Sequence, residues 1–232
     1  MKEQGESFLR NLQAEAQRFD KLVATENGDW IVKGFIDVFK NVYAISGDTK
    51  VVSKIIELML FPYFVELADK HAYHLVLSPE QNYYPDLTFI DRNGRKFAVD
   101  LKSTYRTGHD RVSTMTLGAF TGYFRQRDST KNTTFPYREY CGHFVLGAIY
   151  RRSETKADER RVHAISEIER IPSVVKDLHF FAQPKYRIAK DVPGSGNTKN
   201  IGAVNRFRSC SMEPARLWNW ARRCSTTTGC II

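Results

Sequence analysis

The sequence predicts an α/β protein built on a mixed central β-sheet flanked by helices. Helical patterns open the chain, β-prone runs cluster between residues 73 and 103, and strand-like and helix-like segments alternate after that. At 232 residues and 42% hydrophobic content, the chain can bury a sizeable core and is expected to form one large domain over 1–232.

Each element has a local reason. Residues 6–22 place Phe8, Leu9, Leu12, Phe19 and Leu22 at helical spacing. Asn27-Gly28 followed by Trp30-Ile31-Val32 reads as a turn and short strand. Residues 49–72 form the longest helical pattern, opened by Asp48 or Thr49 and kinked at Pro62. Strands are expected at 73–77, 87–90 and 95–103, a helix at 116–125 weakened by Gly118 and Gly122, and a buried strand at 143–150. A short helix at 165–170 and a strand at 178–182 complete the pattern, with no internal repeat or low-complexity segment.

Chemistry is concentrated in one predicted hairpin. Pro85-Asp86 and Asp100-Leu101-Lys102 stand at the far ends of two β-prone runs joined through Asp91-Arg92-Asn93-Gly94. Folding about Asn93-Gly94 leaves Asp86 one residue short of facing Asp100, an offset that a bulge or a three-residue loop would close. Lys102 shares a strand face with Asp100. Facing carboxylates normally destabilise a strand pair, but a divalent cation between them makes a site. Hard ions such as Mg²⁺ take oxygen ligands and keep several waters, and can lower the pKa of a bound water beside a phosphate. A lysine there would orient the attacking water or stabilise developing charge. This is the chemistry of phosphodiester hydrolysis.

The acid-x-Lys triplet alone is weak, since Asp48-Thr49-Lys50 and Glu154-Thr155-Lys156 repeat it. Asp48 reads as an N-cap and Glu154 lies in the polar run 151–161, expected to be a solvated loop. Only Asp100 ends an apolar strand opposite a Pro-Asp. Without a cation, Asp86 would be a strand-end carboxylate and Asp100–Lys102 a surface ion pair.

Charge points the same way. Of the net +9, residues 185–232 carry nine Lys or Arg against two acids, beginning with Lys185. Positive charge concentrated in the last fifth suits contact with phosphate backbones, although solvated basic tails look similar. No apolar run is long enough to span a bilayer, the start is not a signal peptide, and Cys141, Cys210, Cys224 and Cys230 lack paired metal spacing. A reducing cytoplasm and no membrane partner are expected.

The stretch from Asp191 to Gly202 is rich in Gly and Asn but is not a phosphate P-loop. It reads either as a surface turn or as a backbone able to approach DNA closely, with Asn suited to bidentate contact with adenine. Gln81-Asn82-Tyr83-Tyr84 would reach DNA beside the carboxylates or form a loop.

Taken together, these segments resemble the EcoRV-type restriction endonucleases. The resemblance is carried in order by Ser46-Gly47-Asp48-Thr49-Lys50-Val51, Gln81-Asn82-Tyr83-Tyr84-Pro85-Asp86, Val99-Asp100-Leu101-Lys102-Ser103-Thr104-Tyr105, Thr116-Leu117-Gly118 and Gly194-Ser195-Gly196-Asn197-Thr198-Lys199-Asn200-Ile201-Gly202. It runs from about Ser46 to Val204. It implies the PD-D/ExK nuclease fold, a homodimer, and Mg²⁺-dependent cleavage of both strands of duplex DNA at a palindrome, as two identical subunits presenting the same contacts to two half-sites would require.

By this resemblance Asp86 and Asp100 are metal ligands, Lys102 poises the water, and Glu57 is a further acidic site residue, although a helical wheel puts Glu57 on the polar side with Ser53 and Lys54. Gly194, Ser195, Gly196, Asn197 and Thr198 would form the major-groove recognition loop, supported by Asn200. Gln81 and Asn82 would lie near the minor groove, and Thr49, Ser103 and Thr104 would contact backbone phosphates, which position without specifying. The retained loop implies the target GATATC cut at its centre to blunt ends, and a partner methyltransferase.

Three regions are expected: a dimerisation subdomain at 18–48, longer than the family pattern, a catalytic and DNA-recognition region at 49–204, and a divergent tail at 205–232. The last residues, Cys224 to Ile232, have no helical period and resemble a frame-shifted or truncated end. Two other readings stand beside the endonuclease: a DNA-binding relic that docks without cutting, and a repair nuclease of the same fold that recognises DNA structure.

Overall fold

The computed structural model describes residues 3–119, 126–193 and 200–207. Helix α1 (Glu3–Val23) buries Phe8, Leu9, Leu12, Ala16, Phe19 and Val23 along one stripe. Phe8 stacks on Phe97 with ring centroids 4.7 Å apart, in contact with Phe89 and Phe144 as well. Buried Glu15 pairs with Arg18 and with Lys70, which ties α1 to α2. Helix α2 (Thr49–Lys70) starts at Asp48, whose carboxylate accepts from the N–H groups of Lys50 and Val51, and it continues through Pro62.

Between the helices, β1 (Gly34–Ile36) and β2 (Asn41–Ala44) form a hairpin, and β9 (Val162–Ala164) joins them in a separate three-stranded sheet. The central sheet contains β3 (His74–Leu77), β4 (Leu87–Ile90), β5 (Lys96–Gly108), β8 (Tyr140–Arg152) and β10 (Val175–Pro184), in the order β10-β8-β5-β4-β3. The short β6 (Arg111–Val112) folds back on β5. β5 and β8 run parallel and the other neighbours antiparallel, so the sheet is mixed as expected. A third sheet has the order β11 (Ala189–Pro193), β12 (Asn200–Ala203), β7 (Thr116–Ala119), and the single turn α3 (Lys185–Ile188) links β10 to β11.

Alternation along β5 divides the core. Phe97 and Val99 face the cluster that contains α1 and α2, whereas Ala98 joins Val145, Ile149 and Phe181 against Leu117, Ile188, Ile201 and Ala203.

Several elements differ from expectation. Residues 116–119 are strand rather than helix: Gly118 sits at φ +100°, outside helical space, and Thr116 and Ala119 pair with Gly202 and Asn200 of β12, while 120–125 lie outside the described residues. β5, β8 and β10 are longer than their apolar runs because partner strands satisfy their polar ends. The strand expected at Trp30 is reduced to isolated bridges, Ala24 to Trp30 and Asp29 to Lys176, and the short exposed strands β1, β2 and β9 had no distinctive period. The segment 165–170 is helical as expected, but a 3₁₀ helix.

Candidate active site

The β4–β5 hairpin closes through the three residues Arg92-Asn93-Gly94, with Asp91 N–H donating to Arg95 O and Gly94 in the left-handed region at φ +75°. This loop removes the one-residue offset. Leu87 pairs with Val99, so Asp86 stands at the register position of Asp100. β4 ends there, and the edge of β5 beyond Val99 is open. Asp86 Oδ2 accepts from the Leu101 N–H at 2.6 Å on that edge. Lys102 Nζ lies 3.1 Å from Asp100 Oδ1 and 3.8 Å from Asp86 Oδ2, and also donates to Leu101 O.

Electrostatics separate the two carboxyls. Burial, with Asp100 adding to it, pushes Asp86 up to about 6 against the pull of Lys102. Burial works against the charge on Asp100 too, but Lys102 and Lys185 together outweigh it and hold that carboxyl at about 2. Lys102 is half-buried, and desolvation works against its charge, yet Asp100 and Asp86 more than offset this and raise its pKa. Lys102 is therefore an ammonium at neutral pH, a hydrogen-bond donor and positive charge rather than a general base.

Ser53 of α2 lies against Ser103 of β5, with the two hydroxyl oxygens 2.5 Å apart. Ser53 and Glu57 from α2 line a cavity of about 100 Å³ together with Asp86, Lys102 and Ser103. The polar side of the α2 wheel thus faces this cavity. Glu57 pairs with Lys54 at 2.7 Å, and among the described residues no group of three or more His, Cys, Asp or Glu is placed to hold a metal ion.

The donor chemistry nevertheless fits a hard divalent cation. Two carboxylates meet at an open edge, and such ions bind through one or two carboxylates and retain waters. The cavity beside them is large enough to hold water.

The remaining expected site residues are dispersed. Gln81 and Asn82 are exposed on the β3–β4 connection that leads into Asp86. Thr49 is half-buried at the start of α2 and Asn200 half-buried at the start of β12. Thr104 departs from its expected role: it is 3% exposed and its hydroxyl donates to Ser113 O, so it braces the β5–β6 turn rather than presenting to a phosphate. Gly194, Ser195, Gly196, Asn197 and Thr198 lie outside the described residues, between β11 and β12.

Two further groups beside the carboxylates escaped the sequence reading, one buried and one half-buried. Lys185 heads the basic C-terminal run, but it is 6% exposed with Nζ 3.2 Å from Asp100 Oδ2, so its charge is spent inside the protein. Burial together with neighbouring Lys102 lowers its pKa to about 8, against the pull of Asp100. His143 accepts or shares a 2.7 Å hydrogen bond with Tyr84 Oη and stacks on Tyr137; burial, Lys185 and Arg127 hold it well below its ordinary pKa. No local pattern marks either residue. The one hint at Lys185 is its place directly after an apolar strand.

Comparison with known proteins accounts for this arrangement. The family described as "Restriction endonuclease EcoRV" matches residues 26–213, a wider span than the motifs from Ser46 to Val204 indicate. The chain is also 36% identical over 182 residues to the type II restriction enzyme EcoRV of Escherichia coli, which covers 78% of this chain and 74% of that enzyme. Restriction endonucleases of this kind generally use a divalent metal, in keeping with the paired carboxylates. With a matching mixed sheet flanked by helices, the chain belongs to the EcoRV family of type II restriction endonucleases, hydrolases of the PD-D/ExK fold that cleave DNA site-specifically.

Proposed function

We propose that the enzyme hydrolyses both strands of duplex DNA at the palindrome GATATC, leaving blunt ends, with Asp86 and Asp100 holding Mg²⁺. The observation that carries this reading is the register that puts Asp86 opposite Asp100, with Lys102 between them at an open strand edge. When bound, the cation supplies charge neutralisation at the scissile phosphate and lowers the pKa of a nearby water. Lys102, held as an ammonium, donates to the attacking water or to a phosphate oxygen as negative charge develops. Water gives up a proton to solvent as its oxygen bonds to phosphorus, one P–O ester bond breaks, and the departing oxygen takes up a proton to end one strand as a hydroxyl beside the new phosphate end. Glu57 is an auxiliary acid on the α2 side of the cavity that acts through its charge on Lys102.

Recognition falls to the loop Gly194, Ser195, Gly196, Asn197 and Thr198 with Asn200, while Gln81 and Asn82 approach the minor groove. Thr49 and Ser103 serve backbone phosphates. Residues 18–48 supply the dimerisation subdomain and 49–204 the catalytic and recognition region. Support for a homodimer comes from the β1–β2 hairpin. Asp37 accepts from Phe39 N–H, Asn41 N–H, the Asn41 amide and the Tyr43 hydroxyl, so a well-braced turn holds Val38 and Phe39 at 90% and 82% exposure. With Phe35, Ile36 and Val162 exposed on the same small sheet, a second copy is the natural cover, and its symmetry matches a palindrome. A host carrying such an enzyme in its cytoplasm needs a methyltransferase for the same site. Among the described residues no helix is long and apolar enough to cross a membrane.

The deciding experiment is digestion of linear phage DNA with and without Mg²⁺, followed by sequencing of fragment ends. Blunt ends at GATATC only with metal support the proposal. Discrete ends elsewhere discard the target, a smear of structure-dependent cuts favours a repair-type nuclease, and duplex binding without cleavage favours a docking relic.

A further inference from the structure

We infer that Lys185 is a positioning residue of the nuclease site, which engages one oxygen of Asp100 from behind and leaves the other to face Lys102 and an incoming cation. The inference rests on the reading of Asp86 and Asp100 as the cation site. Asp100 divides its carboxylate between two lysines: Oδ1 lies 3.1 Å from Lys102 Nζ, and Oδ2 lies 3.2 Å from Lys185 Nζ. The Lys185 head group is itself held, 4.1 Å above the centroid of the Tyr84 ring. Tyr84 is fixed in turn by His143 and by backbone hydrogen bonds with Asn132 and Thr134, two residues before Asp86. One ammonium therefore connects Asp100 to the segment that carries Asp86.

This placement has a cost that packing alone does not explain. A buried ion pair is often replaceable by apolar side chains without loss of stability. Here the second lysine balances two carboxylates with two ammonium groups before any cation arrives, so the cation must bind against a standing positive charge. In return Asp100 cannot swing, and it presents a single oxygen. Removal of the Lys185 charge will then strengthen cation binding in the absence of DNA while impairing cleavage, a combination that simple loss of structure would not produce.

The test is calorimetric titration of the full chain with Mn²⁺ alone at pH 7, where Lys185 carries its charge, paired with Mg²⁺-dependent cleavage kinetics and thermal melts. Lys185→Met is expected to bind Mn²⁺ about tenfold more tightly, since a like charge at this range is removed, and to lower kcat about tenfold or more with KM for DNA little changed. Lys185→Gln, which keeps a neutral donor towards Asp100, serves if the Met variant does not fold, and should show the same signs with a smaller loss of kcat. Unchanged or weaker Mn²⁺ binding in the folded variant overturns the inference. Asp100→Asn separates the two levels: its loss of Mn²⁺ binding beside unchanged affinity in the Lys185 variant removes the inference alone. Wild-type Mn²⁺ affinity in Asp100→Asn removes the cation-site reading and the inference with it.

Discussion

Asp86 accepts a 2.6 Å hydrogen bond from the Leu101 N–H, on the edge of β5 that β4 leaves open. A side-chain carboxylate thereby does the work of a strand partner. An amide at position 86 can do the same, because its oxygen is also an acceptor. Asp86→Asn should fold normally and lose cleavage by a factor of about a thousand or more if Asp86 holds the proposed cation. In cation-free buffer at pH 7.5 it should be more stable than the parent by about 1 kcal/mol, a figure reduced for the partial exposure of the group. Urea denaturation checks the sign; a less stable Asn variant would show that the ionised form is not disfavoured.

The raised Asp86 pKa also sets a pH window. The folded carboxyl titrates near 6 against 3.8 unfolded, so its contribution to stability is full below 3.8 and is lost as pH rises through 6. Cation binding has the opposite dependence, because it needs the ionised form. Mg²⁺-dependent cleavage should therefore fall about tenfold per pH unit below 6, while the cation-free protein gains stability from this group over the same interval. Both are read from pH profiles of the parent and Asp86→Asn, and the variant should lose the stability change.

Asp100 is bound to two buried or half-buried lysines, and its removal leaves both without their closest carboxylate. Asp100→Ala should abolish cleavage and cost about 3–5 kcal/mol of stability, the range for breaking one side of a buried pair. The double variant with Lys185→Met should recover part of that loss. Additive losses in denaturant titrations would show that the two residues are not coupled.

Phe39→Asp places a charge at the tip of the β1–β2 hairpin without touching the core. Sedimentation should show a dimer for the parent, as proposed, and a monomer for this variant, and concerted cutting of both strands should give way to nicking of supercoiled plasmid. A dimer of unchanged affinity would move the interface elsewhere.

Asn197→Ala removes a side chain suited to the edge of adenine while the cation site stays intact. Cleavage at the cognate site should drop by about 1–3 kcal/mol of discrimination, or roughly 5- to 150-fold. Cutting of the original site alone, at the original rate, would free the loop of a recognition role.

Much of the site was legible locally. The Asn93-Gly94 turn and the apolar runs beside it set the hairpin, and alternation put Asp100 and Lys102 on one face, since both depend on near neighbours in the chain. Asp48 as the N-cap of α2 was legible for the same reason: its partners are Lys50 and Val51. The strand at 116–119 was not, because its identity comes from pairing with β12, more than eighty residues away, which overrides the preference of a weak helical pattern.

Sequence by itself determined the secondary structure of the strong periodic segments, the chemical identity of the paired carboxylates and lysine, and the family. Tertiary structure alone decided the fate of charges. Lys185 looked like part of a basic phosphate-binding run and became the buried partner of Asp100. Thr104 looked like a phosphate contact and became an internal brace. The reason is physical: whether a polar group faces water or a partner depends on which distant strand covers it, and no local periodicity encodes that contact.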